Sequence, residues 1–176
     1  MNPIRKTTLK IEPQTHVRST KGDSWLFAVS DEYLEQYDDK RLLDHGKKGG
    51  NLRRKRQLEK YNAYKQELRW IASKDGFKLP DGAFAVFFYI PMPKSWRWKK
   101  RLEMNGKPHQ SKPDCDNLLK SMIDGLIPPK NKTKGEKGRD DKEVWCYAAF
   151  KFWVEEFDGR IEIIEYNEYE FVEVFK

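Results

Sequence analysis

Four aspartates and one lysine are the residues of this chain whose types and spacing could carry chemistry. Asp114 and Asp116 stand two positions apart, and Lys120 follows Asp116 by four residues. Asp140 and Asp141 form a second acidic pair, just before an apolar segment. We expect Asp114 and Asp116 in extended chain that precedes a helix, with both carboxylates pointing the same way. If the fold joins the two pairs, their mutual repulsion requires a divalent cation.

The available ligands decide which cation such a cluster would hold. The two cysteines, Cys115 and Cys146, form no CxxC pair, and the chain has neither a zinc-type Cys/His cluster nor an EF-hand loop. Carboxylate oxygens are ligands that Mg²⁺ and Mn²⁺ prefer. We therefore expect Mg²⁺ as the cofactor, with Mn²⁺ as a substitute. Such a cation polarises a phosphate ester and activates water, and a nearby lysine steadies the developing negative charge.

Each of these residues also has an ordinary structural explanation. An Asp-x-Asp pair is common in a turn that ends in a helix N-cap, Lys120 could be only an exposed helix cation, and Asp140 with Asp141 could belong to a solvated loop. If these structural explanations hold, the chain is not a metal-dependent enzyme, and the alternative is a non-catalytic module that binds nucleic acid. A third alternative, a nucleotide phosphotransferase, lacks the Gly-rich phosphate loop that this chemistry uses.

The first acidic pair leads into an amphipathic helix. Pro113 disfavours helix before it, and Asp116 is expected to cap a helix over residues 116–126. One face of this helix is apolar, with Leu118, Leu119, Met122, Ile123 and Leu126. The opposite face carries Lys120 beside Asn117. The helix thus separates a core face from a face available for chemistry.

Strands are expected at four places. Continuous apolar runs at 83–90 and 144–154 predict central strands that are covered on both faces. Alternating Ile and Glu over 160–166 predict a half-exposed strand, joined to the previous one by a hairpin turn at 155–159. The segment 7–18 is typical of an edge strand because it contains a proline.

A second helix is expected over residues 51–73. Apolar side chains recur there at three- and four-residue steps, namely Leu58, Tyr61, Tyr64, Leu68 and Ile71. The two helices and the strands predict an α+β fold, with a small mixed β-sheet and two main helices packed on it. A chain of 176 residues is the ordinary size of one domain, so we expect a single domain over residues 1–176.

The charge of the chain is unevenly distributed. The net charge is +7, yet the region 155–176 holds eight acidic and two basic residues. The positive charge is therefore concentrated in the rest of the chain, which favours nucleic acid as the partner. The expected contacts with nucleic acid are Arg53, Arg54, Arg56, Lys94, Arg97, Lys99, Lys100, Arg101, Lys112 and Asn117. Trp96 and Trp98 could stack on an unpaired base or simply be part of the core.

No segment suggests a membrane or an export route. The N-terminus has no apolar stretch like a signal peptide, and the longest apolar run, 83–90, is far shorter than a membrane span. We therefore expect a cytoplasmic protein without a membrane partner.

The order KPDxDNLxKxxxDxL, then an Asp-Asp pair, then a strand, resembles the signature of RusA-type Holliday-junction resolvases. The segment PMPKSW at 91–96, followed by Lys99, Lys100 and Arg101, is also similar to members of that family. The resemblance is specific over residues 84–147. It implies a RusA-like fold and a homodimeric, Mg²⁺-dependent endonuclease of bacteria and their phages. Its substrate would be four-way and related branched DNA in recombination and repair.

The resemblance also implies roles for individual residues. Asp114, Asp116 and Asp141 would be the essential metal-binding carboxylates, with Asp140 assisting and Lys120 as the basic residue of the catalytic site. The chain departs from the pattern in the basic connection 127–139, which is longer than we expect for the family. It also departs at Gly125, where an alanine would be usual, and we expect that glycine only to cost helix stability.

Overall fold

The computed structural model describes residues 3–45, 50–127, 144, 146–155, 157–167 and 171–172. The helices within them are a 3₁₀ helix at Lys21–Phe27 and α1 (Asp31–His45), α2 (Asn51–Lys74), α3 (Trp98–Met104) and α4 (Cys115–Leu126). The strands are β1 (Arg5–Leu9), β2 (Phe84–Pro91), β3 (Tyr147–Val154) and β4 (Arg160–Glu165). None of the described helices is both long and apolar enough to cross a membrane.

The described strands form one mixed sheet in the order β1-β4-β2-β3. Strand β4 runs antiparallel to both β1 and β2, whereas β3 runs parallel to β2. The predicted α+β class is therefore confirmed. Strand β2 is an inner strand, as its continuous apolar run predicts, and Phe84, Val86 and Phe88 are almost completely buried.

The pairing of the last two strands differs from the prediction. The hairpin at 155–159 is wrong, because β2 lies between β3 and β4 in the sheet. Among the described strands β3 is at an edge, where Tyr147 is 49% exposed, although its apolar sequence predicted a covered strand. Strand β4 is instead an inner strand, in which Ile161 and Ile163 are buried. Sequence neighbours often pair in a sheet, and here the parallel alignment of β3 with β2 overrides that tendency.

The segment 106–109 forms hydrogen bonds with some of the backbone groups on the outer edge of β3. Backbone hydrogen bonds join Gly106 N to Trp153 O (2.8 Å), Trp153 N to Lys107 O (3.0 Å) and His109 N to Lys151 O (2.9 Å). This segment leads directly into α4. The sheet edge therefore holds the chain that carries the first acidic pair.

Helix α4 is amphipathic as predicted, and its apolar face is buried. Leu118 and Met122 are almost fully buried, and the helix packs closely on the last turns of α2. A Cβ placed on Gly125 would lie 2.6 Å from Cδ2 of Leu68, so an alanine there would force this buried methyl group to shift. Gly125 therefore also provides space for Leu68, in addition to the cost in helix stability that the sequence predicts. Arg69 adds hydrogen bonds from its guanidinium to the carbonyl oxygens of Gly125 (2.8 Å) and Asp124 (3.2 Å).

The chain divides into two compact units. One comprises Met1–His16 with Lys65–Lys176, and the other is Val17–Tyr64, so the division falls within α2. The first unit contains the whole sheet and α4. The second unit has its own apolar cluster, formed by Leu26, Leu34 and Leu58. The single domain over residues 1–176 stays a prediction.

Candidate active site

The start of α4 positions the first acidic pair. Helix α4 begins at Cys115, and its N-cap is Asp114, which has extended backbone angles (φ −71°, ψ 150°). Asp116 lies in the first helical turn. The prediction that Asp116 caps the helix is therefore wrong, because Asp114 is the N-cap. The prediction that both aspartates are extended holds for Asp114 but not for Asp116, which is helical. The reason is that the N–H of Leu118 reaches the carbonyl oxygen of Asp114 (3.2 Å), which starts the helical hydrogen bonds two residues earlier.

The carboxylates of Asp114 and Asp116 are both available to a ligand. Each side chain is exposed, and Asp114 makes no side-chain capping hydrogen bond although it occupies the cap position. Neither carboxylate forms an ion pair with another residue in the part of the chain that the structure describes. The positive end of the α4 dipole favours negative charge at both positions. No contact within the described residues therefore uses these two carboxylates, and both can bind a ligand.

The donor chemistry of this pair fits a hard cation. Two exposed carboxylates supply the oxygen ligands that Mg²⁺ takes from proteins, usually together with water and substrate phosphate. Two ligands alone are few, and no group of three or more metal-binding side chains occurs among the described residues. Asp140 and Asp141, the other predicted ligands, lie outside the described residues.

A groove runs along one side of α4, where its polar and apolar faces meet. It is lined by Asp116, Leu119, Lys120, Ile123, Asp124, Val144 and Tyr147. Lys120 is exposed and stands one helical turn after Asp116, so its ammonium and the carboxylate share this groove. Tyr147, the first residue of β3, was not predicted as a site residue. Its position just after the second acidic pair was the only signal that could have suggested it.

Asp124 differs from the two aspartates at the start of α4. Its Oδ2 lies 3.4 Å from Nε2 of His16, and the backbone N–H of His16 also donates to the carbonyl oxygen of Asn117 (3.2 Å). Both contacts attach the chain before α2 to the polar side of α4. Asp124 therefore serves the packing of the helix, and Asn117 is half-buried at the same place.

His109, the histidine nearest the acidic pair, has a structural role. Its side chain is 3% exposed, its ring centroid lies 3.8 Å from that of Trp153, and its Nδ1 accepts a hydrogen bond from the Ser111 N–H (3.3 Å). Burial, aided by the nearby Lys151 ammonium, lowers the pKa of His109. The imidazole is therefore neutral at pH 7 and packed away from the groove.

Some side chains of the basic segment 94–101 pack on or pair with described residues, and others are exposed. Trp96 packs against Trp153 with centroids 4.9 Å apart, and Lys100 Nζ lies 4.0 Å from the Trp96 ring centroid. Arg101 forms an ion pair with Glu155 (2.9 Å). By contrast, Trp98 is 75% exposed. The remaining predicted DNA contacts of this region are exposed, namely Lys94, Arg97, Lys99 and Lys112.

Trp98 has an apolar neighbour on the same face of α3. Leu102 follows it by one helical turn and is 71% exposed. Two large apolar side chains so exposed, and flanked by Arg97 and Lys99, form a surface that suits a flat aromatic ligand with phosphates beside it.

Arg54 differs from the other arginines at 53–56. Its guanidinium forms two hydrogen bonds with the carboxylate of Asp23 (3.2 and 3.0 Å) and one with the carbonyl oxygen of Arg18. This pairing holds the pKa of Asp23 far below its usual range. Arg53 and Arg56 are exposed. Arg54 therefore has a structural role in the unit Val17–Tyr64, whatever it adds to DNA binding.

Comparison with known proteins gives one match. The family model described as endodeoxyribonuclease RusA matches residues 45–164, which is more than half of the chain and includes α4 and both acidic pairs. No curated protein and no solved structure matched the chain.

Proposed function

The chain belongs to the RusA endodeoxyribonuclease family, and from this we propose that it is a Mg²⁺-dependent enzyme that resolves Holliday junctions by phosphodiester hydrolysis. Related branched DNA in recombination and repair would be its wider substrate class. The observation that supports the proposal most is the pair of exposed carboxylates, Asp114 and Asp116, which form no ion pair with a described residue. Asp116 also shares a groove with Lys120.

Asp114 and Asp116 would hold the cation together with Asp141, with Asp140 assisting. Bound there, Mg²⁺ would polarise the scissile phosphate and make water a nucleophile near neutral pH. Asp141 stands three residues before Val144, which lines the groove beside Asp116. Three residues span at most about 11 Å, so the length of this connection would allow Asp141 to approach Asp116.

Lys120 would act directly on the substrate. Its Cα lies about 6 Å along the helix axis from that of Asp116, and both residues line the groove. At that distance it could contact the phosphate or the leaving oxygen while the carboxylates hold the cation. The ammonium would then stabilise the negative charge that develops during cleavage.

DNA binding would use the exposed cations. Arg53, Arg56, Lys94, Arg97, Lys99, Lys100 and Lys112 would contact phosphates, together with the basic connection 127–139, which lies largely outside the described residues. The surface of Trp98 and Leu102 would receive an unstacked base at the branch point. Two symmetric cuts are needed to resolve a four-way junction, so a homodimer is the simplest assembly. We expect the enzyme to act in the cytoplasm of a bacterial or phage-infected cell.

A nicking assay on a mobile four-way junction tests the proposal. The wild-type protein should make paired symmetric nicks with Mg²⁺ and none in EDTA, and Asp114→Asn should make none in either condition. The alternative, a non-catalytic DNA-binding module, predicts junction binding without nicks at any Mg²⁺ or Mn²⁺ concentration. That result would refute the proposed activity.

A further inference from the structure

Lys151 of β3 makes an unusual set of contacts for a lysine. Its Nζ donates hydrogen bonds to the carbonyl oxygens of Ser111 (2.5 Å) and Pro113 (2.7 Å). The residue is only partly exposed, and no carboxylate pairs with it among the residues that the structure describes. Its positive charge is therefore committed to two backbone carbonyl groups rather than to a salt bridge.

The two carbonyl groups that Lys151 contacts lie just before the start of α4. Backbone bonds from β3 hold the segment 106–109, and they end at His109. From Ser111 to Pro113 the side chain of Lys151 takes over. The carbonyl of Pro113 belongs to the peptide group that joins it to Asp114, the N-cap of α4. Lys151 therefore fixes the backbone immediately before the first carboxylate.

The strength of these bonds suits a positioning role. Hydrogen bonds from an ammonium are stronger than those between neutral groups, and they weaken steeply if the acceptor moves. A carboxylate on an otherwise exposed turn would sample many positions, whereas a cation site needs its ligands within a few tenths of an ångström. Exposed Asp114 has no bond of its own side chain to restrict it, so its backbone must do so.

We propose that Lys151 is a positioning residue for the metal site, acting through the backbone of Ser111 and Pro113 on Asp114. The inference rests on the proposed function, because it assumes that Asp114 binds a cation. Lys151 itself touches neither the cation nor the phosphate in this proposal. Its loss should therefore weaken metal binding before it affects the chemistry.

Mn²⁺ binding without DNA is the decisive measurement, with free Mn²⁺ followed by electron paramagnetic resonance. Lys151→Met keeps the length of the side chain but removes its donors. It should raise the Mn²⁺ dissociation constant about tenfold, the usual effect of removing an outer support of a metal ligand. The Mg²⁺ concentration for half-maximal nicking should rise similarly, while the nicking rate at saturating Mg²⁺ falls less. Lys107→Met is the matched control, because Lys107 is exposed and lies in the segment 106–109 that pairs with β3. This variant should bind Mn²⁺ as tightly as wild type.

The outcomes separate this proposal from the proposed function. If Asp114→Asn binds Mn²⁺ as tightly as wild type, the metal site itself is wrong. If Asp114→Asn loses Mn²⁺ but folded Lys151→Met keeps it, only the role of Lys151 is wrong. Should Lys151→Met not fold, Lys151→Gln decides, because its side chain is shorter and its amide is uncharged. Wild-type Mn²⁺ affinity in that variant, or failure of both variants to fold, would overturn the proposal.

Discussion

Gly125 of α4 lies directly against Leu68 of α2, so closely that a Cβ on the glycine would come within 2.6 Å of the leucine side chain. Gly125→Ala should therefore destabilise the protein, although alanine favours a helix by about 1 kcal/mol. Overpacking of a buried contact costs about 1–3 kcal/mol, so a net loss of about 1 kcal/mol is expected. Urea unfolding measures it, with Gly22→Ala, at an ordinary 3.7 Å contact, as the control. A more stable Gly125→Ala protein would contradict the close approach.

Asp116→Asn should abolish nicking while the fold survives. Asp116 is not the N-cap of α4, so a capping role no longer competes with a ligand role at this position. The loss of a metal ligand should lower the nicking rate at least about a hundredfold. The melting temperature without metal should stay equal or rise, because one repelling carboxylate is gone. Asp75→Asn, an equally exposed aspartate beyond the site, is the control, and full activity of Asp116→Asn would remove it from the catalytic set.

Trp98→Ala should weaken junction binding more than duplex binding. Stacking of one base on an aromatic side chain is worth about 1–3 kcal/mol, so junction affinity in EDTA should fall at least about fivefold. Trp98→Phe should retain most of it. A 2-aminopurine at the branch point should be quenched by wild type and not by Trp98→Ala. The control is Trp70→Ala, since Trp70 is also 63% exposed, and equal losses for both variants would argue against a specific stacking surface.

Replacement of Arg53 and Arg56 together should flatten the salt dependence of junction binding. Each phosphate contact contributes about 0.9 to the slope of log affinity against log salt, so the slope should fall by up to about 2. Arg54 is left intact in this variant because its loss would disturb Asp23. Binding is measured in EDTA over a range of KCl concentrations, and an unchanged slope would exclude both arginines from the interface.

The Asp23–Arg54 pair should make stability depend on pH. Arg54 lowers the pKa of Asp23 in the folded protein, so the pair stabilises the fold above the unfolded pKa near 3.8 and loses this effect as pH falls further. Arg54→Met should therefore destabilise the protein more at pH 7 than at pH 3. Urea midpoints at the two pH values measure the difference. Equal losses at both would mean that the charge of Asp23 contributes nothing.

The sequence predicts well what depends on local periodicity. Helices α2 and α4 were predicted within two residues of their bounds, and strand β2 was predicted as an inner strand. These predictions succeed because the spacing of apolar residues indicates whether an element buries one face or both. The cap of α4 was misplaced because Asp114 and Asp116 are equally good cap residues. Only the hydrogen bond to Leu118 distinguishes them.

What the sequence does not reveal depends on contacts between distant segments. No sequence feature near Lys151 predicts its hydrogen bond to Pro113. The packing of Trp96, next to exposed Trp98, depends on the position of Trp153. The order of strands could not be predicted either. The segment 155–159 has the composition of a hairpin turn although the strands that it joins are not paired.

Strand β4 completes the sheet between β1 and β2, so that Arg5 pairs with Glu165 across nearly the whole chain. During synthesis, β1 leaves the ribosome long before β4, its partner among the described strands. Contacts between such distant residues form slowly, and the earlier segments must wait for them. Neither the sheet nor the start of α4 that rests on it can be finished in a nascent fragment. We therefore expect that a ribosome-bound chain carries none of the proposed nuclease activity until β4 has emerged.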